Sequence, residues 1–144
     1  MKTILALLIL IGCSTPPYKQ PNYKPQNTIN SEFIPYLEDY EYYYKGKVRH
    51  IPINFESLDG NTVGLCGYRN GKIFILIDPD YWLKSTELEK LQLFFHELGH
   101  CHLGRGHYNL KYSDECPISF MHKTTFDNDC IDRHFDAYIE ELFK

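Results

Sequence analysis

The sequence contains no apolar run long enough to cross a bilayer. The longest such run covers residues 4–11 of a 144-residue chain, well short of the roughly 20 residues that a membrane-spanning helix needs. There is also no run of Lys and Arg, and with a net charge of −4 and a pI near 5.9 the chain lacks the electrostatic footprint of a nucleic-acid-binding protein. The length excludes two domains, although 43% hydrophobic residues suffice for one packed core.

The first residues combine a positive start, a short apolar run and a cysteine. Met1-Lys2 precedes the apolar run, and Gly12-Cys13 follows it, ahead of a polar, proline-rich stretch. These are the parts of a secretory signal, and an uncleaved hydrophobic anchor is the alternative. The segment resembles a bacterial lipoprotein signal, which implies cleavage before Cys13 and lipid on its sulfur. We therefore expect residues 1–12 to be a signal peptide and the protein to be exported and lipid-anchored, on the periplasmic or cell-surface side of a bacterial membrane.

Between the cysteine and the first predicted helix the chain has almost no aliphatic side chains. Residues 14–30 are mainly Pro, Lys, Gln, Asn and Tyr. Such a composition cannot bury enough surface to offset the entropy lost on ordering. We interpret residues 13–30 as a disordered, proline-rich tether and residues 31–144 as the folded domain.

The hydrophobic pattern of the folded part predicts both helices and strands. Asn70-Gly71 between two alternating runs is typical of a type I′ hairpin, and Asp78-Pro79-Asp80 is interpreted as a turn that leads the chain out of the sheet. The predicted elements, in chain order, are a helix capped by Ser31 and ended by Gly46, strands over 49–55, 62–69 and 72–77, a central helix from about 85 to 103, and a last helix over about 130–143.

The central helix carries the pattern His96-Glu97-Leu98-Gly99-His100. Two histidines one helical turn apart project from the same face, so their ring nitrogens can converge on one Zn²⁺ while Glu97 points beside the metal. A pair of solvated surface histidines is the alternative interpretation. His102 is rotated too far around the helix to be a ligand. The opposite side of the helix is apolar and consists of Leu91, Phe94, Phe95, Leu98 and, at its edge, Cys101.

A catalytic zinc normally takes three protein ligands. His107 follows Gly104 and Gly106, and glycines allow the backbone to reverse and return a residue beyond the helix end to the metal. His107 is therefore the predicted third ligand.

Taken together, these residues resemble the metzincin superfamily of zinc endopeptidases, whose signature is His-Glu-x-x-His-x-x-Gly-x-x-His followed by a Met-turn. The histidines, Glu97 and Gly104 match it, although Gly104 and His107 each lie one position later than the signature places them. Met121 in Ser-Phe-Met-His is the Met-turn candidate. The stretch is most similar to astacins, but Lys123 stands where those enzymes carry a metal-facing Tyr, so a tyrosine switch is expected to be absent.

The resemblance implies an α+β fold and a zinc endopeptidase activity. The expected architecture is a minimal metzincin-like domain, a small twisted sheet packed on an N-terminal helix and a central zinc-binding helix, followed by the Met-turn and a C-terminal helix. One Zn²⁺ per chain would be bound by His96, His100 and His107. Glu97 would activate a water molecule for attack on a peptide or protein substrate. The substrate is expected to lie along an exposed strand edge, for which Lys72–Ile77 is the candidate.

Four cysteines follow Cys13. An even number in an exported chain favours two disulfides over free thiols, and zinc ligation is the weaker alternative because no pair has C-x-x-C spacing. Three pairings are possible. We favour Cys66 with Cys101, because the first is on a strand and the second is toward the sheet-facing side of the central helix, and Cys116 with Cys130, which bracket the Met-turn loop.

Two other functions remain open at this stage. One is a non-catalytic lipoprotein that retains a zinc site. The other is a gluzincin-like peptidase in which Glu115, Glu140 or Glu141 replaces His107 as the last ligand.

Overall fold

A three-stranded sheet and four α-helices make up the domain. The computed structural model describes residues 26–144, so the predicted signal peptide, Cys13 and residues 13–25 of the predicted tether lie outside the described residues. A short 3-10 turn over Ser31–Phe33 leads into the first helix. The elements are α1 (Ile34–Tyr44), β1 (Ile53–Phe55), β2 (Gly64–Arg69), β3 (Lys72–Ile77), α2 (Pro79–Lys84), α3 (Glu87–Cys101) and α4 (Asn128–Leu142). The predicted α+β class is confirmed.

The strand order in the sheet is β1-β3-β2. β3 pairs in parallel with β1 and in antiparallel with β2, so it is the central strand. The hairpin between β2 and β3 turns at Asn70 and Gly71, whose φ angles of 50° and 78° are those of the predicted type I′ turn. Outside β1, Ile29 forms a parallel bridge with Ile53 and covers that edge.

Two predicted elements differ from the structure. The strand predicted over 49–55 pairs as a strand only at Ile53–Phe55. The segment interpreted as a turn begins α2, because the Asp78 side chain accepts a hydrogen bond from the Tyr81 amide and Pro79 occupies the first helical turn. An aspartate followed by proline is a helix start as well as a turn, and the helical alternative prevails here.

Aromatic side chains fill the space between the sheet and the helices. Phe33 stacks on Phe94 with ring centroids 5.8 Å apart, and Tyr40 meets Phe95 edge to face at 5.1 Å. These contacts join the 3-10 turn and α1 to α3, and Phe120 with Tyr138 extends the cluster to α4 at 5.0 Å. The core therefore surrounds α3 and holds it rigidly. Within residues 26–144, none of the helices combines the length and apolarity required to cross a membrane.

Candidate metal centre

Helix α3 is the platform of the site. A capping box starts it, in which Thr86 and Glu89 exchange hydrogen bonds between side chain and backbone. Its apolar side packs into the core as the sequence predicts, but the opposite side is also covered: His96 and Glu97 are buried together with Gln92 one turn earlier. The helix is thus a buried element with one side in the wall of a cleft.

The structure brings His96, His100 and His107 together as a cluster that could hold a metal ion. The Nε2 atom of His100 lies 3.0 Å from that of His96 and 3.3 Å from that of His107. The other ring nitrogen of His96 lies 2.7 Å from the carbonyl oxygen of Phe120, and that of His100 lies 2.6 Å from the carbonyl oxygen of Arg105. Since a carbonyl oxygen only accepts, both Nδ1 atoms must donate and both Nε2 atoms present lone pairs.

The ionisation of the cluster suits cation binding. Burial lowers the pKa of His96 to about 3, and the neighbouring His100 contributes to the shift. Burial also lowers the pKa of His100 and of His107. All three rings are therefore neutral at physiological pH, which is the form that coordinates metals.

The segment after α3 returns His107 to the helix. Gly104 adopts a left-handed φ of 67°, and the Arg105 amide donates to the Gly99 carbonyl at 2.9 Å. Gly106 has no such φ, so of the two glycines expected to reverse the chain only Gly104 has that role. Directly after His107, the Tyr108 amide donates to the Met121 carbonyl at 2.8 Å.

Met121 is fully buried directly against α3, the helix that carries His96 and His100. A Cβ placed on Gly99 would lie 2.3 Å from the Met121 sulfur, so only glycine permits this approach. The amide of His122 closes a turn onto the Ser119 carbonyl at 3.1 Å. The Met-turn candidate is therefore a turn that packs against α3 between the two histidines of that helix.

Glu97 is buried in the wall of the cleft beside the histidines. Burial raises its pKa to about 8, partly offset by a hydrogen bond from the Cys66 backbone. Strand β2 passes so close that a Cβ on Gly64 would lie 2.4 Å from the carboxylate Oε1. The cleft has a volume of about 720 Å³ and is lined by β2, α3 and the segments around His107 and His122.

The strand edge that faces the cleft differs from the predicted one. Lys72–Ile77 is the central strand and both of its edges are paired, so it cannot accept a substrate strand. The cleft-lining edge belongs to β2. The Asp78 amide donates to the Val63 carbonyl at 2.9 Å, so alternate residues Gly64, Cys66 and Tyr68 direct their backbone groups away from β3. Sequence order does not reveal the spatial order of strands, which explains the error.

Two disulfides stabilise the surroundings of the cleft. Cys66–Cys101 joins β2 to the end of α3, and Cys116–Cys130 joins the loop that precedes Met121 to α4. The predicted disulfide bonds are confirmed, in the pairing favoured from the sequence. Two disulfides indicate folding in an oxidising, extracellular environment.

The carboxylates considered as replacements for His107 lie elsewhere. Glu115 pairs with Lys111 at the surface, and Glu140 is exposed on α4. Glu141 pairs with Arg105. His102, predicted not to be a ligand, contacts the Tyr40 hydroxyl at 3.2 Å instead. A second group of donors, Asp114, Cys116 and His134, contains a cysteine that is already in a disulfide.

Sequence reasoning missed two cleft residues. Gln92 lies one turn before His96, and its amide oxygen is buried without a partner among the described residues. The helical spacing that identified the histidines also identifies Gln92. His122 was noted only as part of the Met-turn, yet its ring lines the cleft, and its Nδ1 lies 3.0 Å from the Thr124 hydroxyl. No periodic pattern marks His122.

The fold and the site together define an α+β domain with a three-histidine cluster able to bind a metal ion. Searches of family models, curated proteins and solved structures found no match to this chain.

Proposed function

We propose that the protein is a zinc-dependent endopeptidase of metzincin-like architecture. The supporting observation is the convergence of His96, His100 and His107 beside the buried carboxyl of Glu97, in a cleft bounded by a strand edge. The order of strands, zinc helix, Met-turn and C-terminal helix agrees with that resemblance. Three protein ligands are usual for a catalytic zinc, and an adjacent acid–base residue suits metal-assisted hydrolysis.

Zinc fits the donor set. Tetrahedral ligands at 2.0–2.1 Å from zinc lie roughly 3.3 Å from each other, and the two Nε2 separations of 3.0 and 3.3 Å are close to that value. The His96 and His100 lone pairs face each other without a proton to share, an arrangement that is repulsive unless a cation lies between them. Imidazole-only sites suit zinc rather than Mg²⁺ or Ca²⁺, which prefer oxygen.

In the proposed mechanism Glu97 moves the proton. Bound zinc would supply a Lewis acid that polarises the scissile carbonyl and acidifies water. Next to that positive charge the Glu97 carboxyl would ionise more readily than its raised pKa of about 8 indicates for the metal-free site. The carboxylate would then accept a proton from water and pass it to the leaving amine. The hydrogen bond from the Cys66 backbone keeps the carboxyl in place meanwhile.

The edge of β2 is the proposed substrate platform. Gly64 and Tyr68 direct backbone donors and acceptors away from β3, so an extended peptide could pair with them as an added strand. Such pairing would carry the peptide past Glu97, because β2 approaches that side chain at Gly64. The absence of a side chain at Gly64 leaves the space that the carboxyl occupies.

We also propose that the domain acts outside the cytoplasm as a lipoprotein anchored through Cys13. The two disulfides are consistent with export, and the Gly12-Cys13 pattern is consistent with lipidation. Cys13→Ser is expected to release the protein from the membrane fraction or leave it unprocessed, as fractionation would measure. Wild-type protein that carries no lipid would contradict the anchor and leave the site chemistry unaffected.

The peptidase proposal is tested with Glu97→Gln. The amide keeps the size of the side chain but cannot accept the proton of water, so we expect zinc content to stay at one per chain while kcat for a peptide pool falls by at least about a hundredfold. Glu115→Gln, which removes the same charge from an exposed pair with Lys111, is the matched control and should cleave normally.

Three results would contradict the proposal in different ways. Near wild-type cleavage by Glu97→Gln would mean that another group activates water. A wild type that binds zinc but cleaves no peptide would favour the non-catalytic lipoprotein. Retention of zinc by His107→Ala would show that a different residue is the third ligand.

A further inference from the structure

The two helix histidines of the cluster are oriented by two separate loop segments. His96 donates to the Phe120 carbonyl and His100 donates to the Arg105 carbonyl. The first carbonyl belongs to the Met-turn and the second to the return after α3. The direction of each Nε2 lone pair therefore depends on the position of a loop carbonyl as well as on α3.

One carboxylate on α4 connects both loop segments. Oε1 of Glu141 pairs with the Arg105 guanidinium, and Oε2 accepts a hydrogen bond from the Ser119 hydroxyl. The Ser119 side chain is fully buried, and the Glu141 side chain is 13% exposed. Arg105 carries the carbonyl that holds His100, and Ser119 directly precedes the carbonyl that holds His96.

The contacts of Glu141 with Arg105 and with Ser119 form the two arms of a hydrogen-bond network. Each arm contains at least one further hydrogen bond. Nη1 of Arg105 donates to the carbonyls of Glu141 and Leu142 at 2.8 and 3.2 Å, where the end of α4 leaves backbone acceptors without helical partners. On the other arm, the Ser119 hydroxyl accepts from the Met121 amide at 2.9 Å. Neither loop can shift without breaking bonds to Glu141 or to its helix.

We propose that Glu141 is the positioning residue of the metal centre, holding the two carbonyls that orient His96 and His100. The inference rests on the proposed metal site but not on proteolysis. Both carbonyls keep the ring proton on Nδ1 and so leave Nε2 available to a metal ion. If either loop moves, its histidine also populates the tautomer with the proton on Nε2, and that nitrogen then has no lone pair for the metal ion. Partners of this kind typically contribute 10–100-fold to metal affinity.

The first test is Glu141→Gln in the full chain, with zinc affinity measured by competition with a chromophoric chelator. One amide cannot accept from both Arg105 and Ser119 as a carboxylate does, so we expect zinc affinity to fall by about 10–100-fold. Glu140→Gln, the same change on the exposed neighbouring position of α4, is the matched control and should bind zinc like the wild type. Equal affinity in Glu141→Gln and wild type would overturn the inference.

The second test measures the tautomers of the His96 and His100 rings and requires neither bound metal nor peptide cleavage. Long-range ¹H–¹⁵N spectra of the metal-free protein report which nitrogen of each histidine carries the proton. We expect the Nδ1–H form for His96 and His100 in the wild type and mixed tautomers in Glu141→Gln. Unchanged tautomers would overturn the inference even if zinc affinity fell, because the fall would then have another cause.

Single-arm variants separate positioning from a general loss of structure. Ser119→Ala should disturb the His96 ring alone, and Arg105→Lys should disturb the His100 ring alone. If Glu141→Gln fails to fold, these two variants decide the question. Simultaneous and equal changes in both rings with either variant would overturn the two-arm arrangement. Loss of peptide cleavage with normal tautomers would instead concern the proposed function.

Discussion

The two walls of the cleft are built in different ways. One wall is regular structure: α3 and β2 are joined by Cys66–Cys101 and packed against the core on most sides. The other wall is the irregular chain between α3 and α4, which contributes His107 and His122. Its position depends on Cys116–Cys130 and on individual hydrogen bonds such as that from Tyr108 to Met121. The first wall supplies His96, Glu97 and His100, and the second supplies His107 and the carbonyls that orient the His96 and His100 rings.

The largest difference between the walls should appear when each disulfide is removed. The Cys66/Cys101 pair closes a separation of 35 residues and the Cys116/Cys130 pair one of 14. Chain entropy gives losses of about 4 and about 3 kcal/mol in unfolding free energy for the two double alanine variants. Denaturant unfolding measures both. Removal of the first pair should also weaken the contact between β2 and Glu97, whereas removal of the second should mainly reduce zinc affinity. The opposite assignment would mean that the walls do not have separate roles.

A smaller loss of stability is expected from a substitution at Gly99, where α3 contacts the irregular wall at Met121. In Gly99→Ala the new methyl group would lie 2.3 Å from the Met121 sulfur and 3.3 Å from Leu142 Cδ1, so the turn at Met121 must move away from α3. Overpacking of this kind costs about 1–3 kcal/mol, measurable by denaturant unfolding. Gly106→Ala is the control, because nothing lies within 4 Å of its Cβ, and it should change stability by less than about 0.5 kcal/mol. Equal stability of the two variants would show that the contact at Gly99 is loose.

The smallest effect concerns the pH dependence of the metal-free protein. Burial raises the pKa of Glu97 from 4.5 to about 8, so the folded state holds a proton that the unfolded state has lost, and stability falls as pH rises through that window. The pKa of His96 is lowered from 6.5 to about 3, so between these values the unfolded state binds a proton that the folded state does not. This group therefore lowers the stability of the fold as pH falls below about 6.5. The pKa values of His100, His102 and His107 are lowered as well, and a comparison with Glu97→Gln cancels the contributions of all four histidines.

We expect wild-type stability to fall by up to about 1.4 kcal/mol per pH unit between roughly pH 6.5 and 7.5 relative to Glu97→Gln. Chemical unfolding of both proteins after chelation measures the difference. Parallel pH profiles would contradict a protonated Glu97 in the folded protein.

Sequence patterns predicted the regular wall far better than the loop wall. Helix α3 and its residues His96, Glu97 and His100 follow from local spacing, since neighbours three and four positions apart share a helix face. His107 was found only because a glycine marks the return of the chain. The contacts of Glu141 with Arg105 and Ser119 span 36 and 22 residues, and no local pattern encodes partners that distant. For the same reason β3 was taken for an edge strand, since adjacency in sequence does not determine adjacency in a sheet.

The pairing of Ile29 with β1 has a mechanical consequence. The Ile53 amide donates to Thr28 at 3.0 Å, and the Asn30 amide donates to the Ile53 carbonyl at 2.9 Å, so the chain enters the fold at the sheet edge opposite β2. A pulling force on the N-terminal segment would load these two hydrogen bonds first. β2 and the cleft lie at the opposite edge of the sheet, separated from these bonds by β1 and β3.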